Sequence, residues 1–111
     1  MHTINIKEDY PPADTAVAAM MIEIEAAKFG GIYAIKVIHG YGSHNMGGVI
    51  KKECHLALST LKKTGKITDF LRGEELSPNH KLYSKLKDNV PDIIIDPDFI
   101  YRNSGITIII V

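Results

Sequence analysis

The segment at residues 32–38 (IYAIKVI) most strongly constrains how this chain can fold. It is nearly all apolar and short for a helix, so it predicts a central β-strand covered on both faces. Residues 3–7 (TINIK) alternate apolar and polar side chains, which predicts an edge strand with one wet face. From Ala13 onward, apolar residues recur three and four apart and predict an amphipathic helix that ends at Gly30 and Gly31. A strand, a helix and a strand in this order predict a right-handed βαβ unit with parallel strands.

The rest of the chain predicts a second helix and two further strands. The helix follows from an apolar stripe of Ile50, Cys54, Ala57, Leu58 and Leu61. The polar residues expected on its outer surface are Lys51, Lys52, His55, Ser59, Lys62 and Lys63. Residues 66–72 predict a third strand, and residues 105–111 predict a buried last strand at the centre of the sheet. Between them, residues 73–104 predict an excursion with one short helix after Ser77 and Pro78.

These elements predict an α/β (α+β) fold in the order βαβαββ. The expected architecture is a two-layer sandwich, with a four-stranded mixed sheet, two helices and a short extra helix in the excursion. With 111 residues and 45% hydrophobic side chains, the chain fits one compact domain over residues 1–111.

Charge and cysteine content limit the classes of function. The 13 basic and 13 acidic side chains cancel, so contact with a nucleic acid would have to use a local basic patch. Cys54 is the single cysteine of the sequence, which excludes an internal disulfide and favours a reducing compartment, so a cytoplasmic location is expected. No signal peptide and no run of about 20 apolar residues is visible, so no contact with a membrane is expected.

The most distinctive stretch is residues 37–52 (VIHGYGSHNMGGVIKK), where a predicted strand ends in His-Gly and a glycine-rich loop leads into the basic helix. A Walker A loop requires a lysine and a hydroxyl where this chain has Gly48 and Val49. The dinucleotide-binding fingerprint requires a third glycine where this chain has Asn45. The loop amides and the following helix N-terminus still favour an anion such as phosphate. The alternative is a plain connection whose glycines allow a tight turn.

The histidines near this loop admit more than one role. His39 can act as a general acid or base, because imidazole titrates near neutral pH, or it can cap the strand through a backbone hydrogen bond. A metal site of His39, His44 and His55 is an alternative, although the spacing matches no standard motif and the loop has no acidic ligand. Cys54 lies on the apolar stripe and is expected in the core.

The loop and the C-terminal strand resemble the small MutS-related (Smr) domain family. That family carries a loop of the form H-G-x-G-[TS]-G-x-L-R before its second helix, and it ends on a glycine followed by a strand of the type VTVV. The loop residues that match are His39, Gly40, Gly42 and Ser43 and then, after an insertion at 44–47, Gly48, Ile50 and Lys51. The C-terminal match is residues 105–109 (GITII). The resemblance covers residues 3–72 and 104–111.

The resemblance implies a mixed four-stranded sheet with two helices, and the binding or nicking of DNA or RNA. The residues it implies at the phosphate backbone are His39, Gly40, Tyr41, Gly42, Ser43, Gly48, Lys51 and Lys52. If the chain cleaves a phosphodiester bond, His39 is the expected proton-transfer residue and Glu8 or Asp9 is the nearest acidic candidate. A divalent metal such as Mg²⁺ is then a possible cofactor.

The first strand departs from the family pattern. Members usually carry L-D-L-H-G there, and its acidic residue and histidine are implicated in cleavage, whereas this chain has INIKE at 4–8. Asn5 cannot accept a proton as a base, and Lys7 does not titrate near pH 7. Three hypotheses therefore stay open: an endonuclease, a nucleic-acid-binding module without catalysis, and a domain that binds a small molecule or a protein.

Overall fold

The computed structural model describes residues 1–41 and 45–111, with residues 45–48 described as backbone only. The strands within these ranges are β1 (His2–Asn5), β2 (Ala34–Ile38), β3 (Asp69–Arg72) and β4 (Ile106–Ile110). The long helices are α1 (Ala13–Phe29) and α2 (Asn45–Lys63). Between β3 and β4 lie the short helices α3 (Tyr83–Asn89) and α4 (Pro97–Ile100), with 3₁₀ turns at Gly73–Glu75 and Pro91–Ile95.

The strands of the described chain form one mixed sheet in the order β1-β2-β4-β3. β1 pairs with β2 in parallel, whereas β4 lies antiparallel to both β2 and β3. This confirms the predicted α/β fold class with its four-stranded mixed sheet. The edge position of the first strand and the central position of the last strand are also confirmed.

Helices α1 and α2 pack together on one face of the sheet. The buried residues of α1 are Ala16, Met20, Ile24 and Ala27, and those of α2 include Ile50, Cys54, Leu58 and Leu61. Their spacing of three and four residues is the helical period that the sequence showed. Cys54 lies in this core as predicted, and burial raises the pKa of its thiol to about 12. Among the described helices, none combines the length and the apolar character needed to cross a bilayer.

Residues 73–104 cover the opposite face of the sheet. A second apolar cluster there includes Leu71, Leu76, Leu86, Ile93, Phe99, Ile106 and Ile108. This cover explains why β2 is buried on both faces, as its sequence predicted. The predicted short helix is present as α3, but it begins later than expected. The N–H of His80 donates to the carbonyl of Ser77 at 3.0 Å, so residues 77–80 form a turn before the helix.

A buried ion pair ties the end of this excursion to the sheet. Lys36 of β2 is 8% exposed, and its Nζ donates to Asp96 and, at 2.8 Å, to Asp98. Burial alone would lower the pKa of Lys36, but its hydrogen bonds with the two carboxylates raise it. Asp98 also accepts a hydrogen bond from Asn103 Nδ2, and Asn103 Oδ1 accepts one from the N–H of Gly105. The network therefore reaches from the middle of β2 to the residue that precedes β4.

The third strand begins at Asp69 and not at residue 66 as predicted. The N–H groups of Lys66 and Ile67 both donate back to the carbonyl of Leu61, at 2.9 Å and 3.4 Å. Gly65, which precedes Lys66, has a φ of +74°, the left-handed conformation typical of a helix C-terminus. Residues 66 and 67 therefore lie in the turn that follows α2 and not in β3.

Candidate functional site

The candidate site lies where β2 ends beside the start of β4. The N–H groups of His39 and Gly40 both donate to the carbonyl of Gly105, each at 3.0 Å. Gly40 has a φ of +87°, which strains any residue with a side chain, and a Cβ there would lie 3.1 Å from Cδ of Lys7. The His-Gly pair is therefore fixed between the end of β1 and the start of β4. His39 is completely buried in this position.

One hydroxyl group joins two histidines beneath this turn. Nε2 of His39 lies 2.8 Å from Oγ1 of Thr107 in β4. Nε2 of His55 in α2 lies 2.9 Å from the same oxygen. The two imidazole rings meet edge to face with their centroids 5.3 Å apart, and His55 stacks on Phe70 of β3. Residues from α2, β2, β3 and β4 thus hold the pair.

A further hydrogen bond of His39, to the backbone of Gly40, determines which atoms donate and which accept in this chain. Nδ1 of His39 lies 2.9 Å from the carbonyl oxygen of Gly40, which can only accept, so Nδ1 carries the proton. In a neutral ring, Nε2 of His39 then accepts from the Thr107 hydroxyl, whose oxygen accepts from Nε2–H of His55. This leaves Nδ1 of His55 as the basic atom. Among the described residues, no hydrogen bond to that atom is found.

Both imidazoles are neutral near pH 7. Burial lowers the pKa of His39, and the positive charge of Lys51 adds to the effect against an opposing hydrogen bond to Gly40. Burial also lowers the pKa of His55 to about 4, assisted by His39 and by the charges of Arg72 and Lys51. His55 is therefore uncharged at neutral pH.

His55 also lines an open cleft of about 460 Å³. The lining residues are Tyr41, Lys51, Lys52, His55, Leu56, Ser59 and Arg72. Three of these side chains are cationic and none is acidic. Because two of the cations project from α2 and the third ends β3, positive charge converges on the cleft from two directions. Tyr41 adds an aromatic ring that is 63% exposed.

Two glutamates at the rim partly balance this charge. Lys51 pairs with Glu74 at 3.1 Å, and Nε of Arg72 lies 4.0 Å from Glu75. Burial alone would raise the pKa of Glu74, but its hydrogen bond with Lys51 lowers it, so Glu74 is ionised at neutral pH. Both glutamate side chains are nearly half exposed, and such pairs are weak. Within the described chain, no carboxylate lies within ion-pair distance of Lys52.

The structure brings together five of the eight residues that the resemblance implied. These five are His39, Gly40, Tyr41, Lys51 and Lys52. Gly42 and Ser43 lie outside the described residues, and Gly48 is described only as backbone of α2. Tyr41, Lys51 and Lys52 line the cleft, whereas His39 has both ring nitrogens bonded within the protein. Its proton-transfer role stays a prediction.

The sequence prediction did not include Thr107, Arg72 or Glu74, and it placed His55 wrongly on the outer surface of α2. His55 is only 9% exposed, because Thr107 provides a polar partner on the inner side of the helix. The available signal was Thr107 itself, the single polar residue in the strand ITIII. Its side chain alternates onto the face that α2 covers.

Glu8 and Asp9 do not take part in the described site. They lie in an exposed turn after β1, where Asp9 has a φ of +62°. Within the described chain, no contact joins either of them to the cleft. The carboxylates that pair with cleft residues are Glu74 and Glu75, which follow β3.

The cleft does not fit a divalent cation such as Mg²⁺, because its lining supplies cations instead of oxygen ligands. His39 and His55 direct Nε2 at the same hydroxyl and do not converge on a metal position. His44 lies outside the described residues. In the part of the chain that the structure describes, no group of three or more histidine, cysteine, aspartate or glutamate residues is placed to hold a metal ion.

The arrangement can bind an anion through its cations, and it places the neutral imidazole of His55 beside them. No family model, curated protein or solved structure matches this chain.

Proposed function

We propose that this chain binds the phosphate backbone of a nucleic acid in the cleft beside α2. The observation that carries the proposal is the convergence of Lys51, Lys52 and Arg72 on one concave surface without an acidic side chain in its lining. Phosphate groups are bound by such clusters through charge and hydrogen bonds. The chain has no net charge, so a local cluster of this kind is what the composition requires of a nucleic-acid-binding protein.

The glutamates at the rim are compatible with this function. Glu74 and Glu75 are exposed and make weak ion pairs, so a phosphate can replace them as partners of Lys51 and Arg72 at low cost. In the absence of nucleic acid they hold the two cations in position over the cleft. Removing Glu74 should therefore strengthen binding of the phosphate backbone.

The fold supports the proposal that this chain is a divergent member of the small MutS-related family. A mixed four-stranded sheet with two long helices is the architecture that the resemblance implies. The His-Gly pair lies at the end of β2 and is followed by α2, as the loop motif requires. The altered first strand leaves binding as the primary function that we assign.

Cleavage of the bound backbone is a second candidate function, and the hydrogen-bonded chain His39–Thr107–His55 favours it. The imidazole of His55 lies at the edge of the cleft and could accept a proton from an attacking hydroxyl group once the negative charge of a bound phosphate raises its pKa. Thr107 fixes the ring so that Nδ1 of His55 remains basic. In this arrangement His55 would be the catalytic residue, and His39 a positioning residue.

Binding can be tested by fluorescence anisotropy with labelled oligonucleotides between about 50 mM and about 200 mM salt. The test variant is Lys52→Gln, and the matched control is Lys63→Gln. Both lysines are exposed and lie on nearly the same face of α2, about 16 Å apart along its axis. Lys52→Gln should weaken binding and lower the salt slope by about one, Lys63→Gln should do neither, and Glu74→Gln should tighten binding.

The result that overturns the proposal is binding that is absent at low salt or independent of salt concentration. Salt-independent binding of a small ligand in the same cleft would favour the small-molecule hypothesis instead. For the second candidate, loss of cleavage in His55→Gln with unchanged affinity supports a catalytic role. An absence of cleavage in the wild-type protein, with or without Mg²⁺, would leave a binding module.

A further inference from the structure

A second concave surface adjoins the basic cleft and shares one residue with it. It has a volume of about 400 Å³, and its lining includes Tyr41, Asp98, Tyr101, Arg102 and Asn103. Tyr41 lines both surfaces. The two concavities are therefore neighbours across one aromatic ring.

The ring of Tyr41 packs against Gly105 on one side and is open to solvent on the other. A Cβ on Gly105 would lie 3.3 Å from Cε1 and Cζ of this ring, so the ring rests against the glycine backbone. Gly105 is in turn held by the N–H groups of His39 and Gly40. The side chain is nevertheless 63% exposed. Tyr41 thus presents an exposed aromatic ring that lies against Gly105.

The far side of the second surface carries another exposed ring and a cation. Tyr101 is 80% exposed, and the following Arg102 is also exposed. Arg102 has a φ of +50°, a left-handed conformation that is unfavourable for a residue with a side chain. Strained residues of this kind occur preferentially at functional sites.

Hydrogen bonds around Asn103 hold this strained turn. The N–H of Asn103 donates to the carbonyl of Asp98 at 2.9 Å, and its Nδ2 donates to the Asp98 carboxylate at 2.8 Å. That carboxylate is also paired with Lys36. Asp98 therefore has partners within the protein, and Arg102 is the cation that this surface presents to solvent.

We propose that the two surfaces form one path for a single-stranded nucleic acid, which crosses Tyr41. The inference rests on the proposed function, because the basic cleft must first hold the phosphate backbone. A single strand can stack unpaired bases on Tyr41 and Tyr101, whereas a duplex keeps its base faces inside the helix. Arg102 supplies a second phosphate contact beyond the tyrosine. DNA and RNA share this chemistry, and the experiment includes both.

The experiment compares a labelled single strand of about 12 nucleotides with a hairpin duplex of the same sequence, each as DNA and as RNA. The test variant is Tyr101→Ala, and the matched control is Tyr101→Phe, which keeps the ring. Tyr101 is so exposed that its truncation should leave the core intact. Arg102→Gly removes the second cation and at the same time suits the left-handed backbone.

We expect Tyr101→Ala to weaken binding of the single strand about tenfold while leaving the duplex and the salt slope unchanged. Tyr101→Phe should bind as the wild-type protein does. Arg102→Gly should lower the salt slope by about one for the single strand.

Equal binding of single strand and duplex, with no effect of Tyr101→Ala on either, would overturn the inference while leaving the basic cleft as a backbone-binding site. An equal loss for single strand and duplex would also overturn it, because stacking on unpaired bases would not be the cause. If the wild-type protein binds no nucleic acid at low salt, the proposed function and this inference both fail.

Discussion

Acid should destabilise this protein at a pH where its carboxylates are still ionised, and His55 should account for much of the loss. The pKa of His55 lies at about 4 in the folded protein, against an ordinary value of 6.5. Above pH 6.5 the ring is neutral in both the folded and the unfolded state. As the pH falls below 6.5, His55 becomes protonated in the unfolded chain but stays neutral in the folded protein. The free energy of unfolding therefore decreases.

The size of this effect follows from the two pKa values. Their difference corresponds to about 3 kcal/mol once the pH is below both, and to about 2 kcal/mol at about pH 5. His39 acts in the same direction because burial also lowers its pKa. Lowered carboxyl pKa values, as at Asp69, Glu74 and Asp98, become important only as the pH falls through the ordinary values of 3.8 to 4.5.

The measurement is urea unfolding at about pH 7.5 and about pH 5 for the wild-type protein and His55→Gln. Glutamine does not titrate, and its amide can still donate to Thr107. The variant should lose about 2 kcal/mol less than the wild-type protein between the two pH values. The control His2→Gln, at an exposed histidine of β1, should leave the loss largely in place. An identical pH dependence in the wild-type protein and His55→Gln would refute the reasoning.

Three further substitutions, two of them with a matched control, test the packing of the fold by urea unfolding at neutral pH. Thr107→Val removes the hydroxyl shared by two histidines and should cost about 2 kcal/mol, whereas Thr107→Ser should cost less than about 1 kcal/mol; equal losses would contradict the assigned hydrogen bonds. Gly73→Ala would place Cβ 1.5 Å from the backbone oxygen of Asn103 and should lower the free energy of unfolding by about 3 kcal/mol. In the control Gly30→Ala the nearest contact of Cβ is at 3.4 Å, so stability should hardly change. Lys36→Met leaves the partly exposed Asp98 without its ion pair and should cost about 2 kcal/mol; a neutral result would mean that this pair does not hold the excursion.

The elements that could be predicted from the sequence are those that depend on residues close together in the chain. The start of α1 at Ala13 follows from the prolines before it and from its apolar period. The strands β2 and β4 follow from short apolar runs that only a central strand can bury. The short turns between residues 73 and 104 have no such period, because contacts with the sheet determine where they lie.

The basic part of the cleft could be predicted for a similar reason, because Lys51 and Lys52 are neighbours on one helix. Its other members come from distant parts of the chain. His55 and Thr107 are 52 residues apart in sequence, and Arg72 reaches the cleft only because β3 lies beside β4. A pattern read along the chain cannot show that a histidine next to the apolar stripe of α2 will meet a hydroxyl in the last strand.

The most direct test of the central claim is a nuclear magnetic resonance titration of the isotopically labelled protein with an unlabelled single-stranded oligonucleotide. The predicted result is a set of amide shifts that saturates with added strand and centres on Tyr41, Lys51, Lys52 and Arg72. The same shifts should weaken as salt is raised. Shifts centred instead on the groove between α1 and α2, near Ala18 and Met21, or no shifts at low salt, would contradict the account.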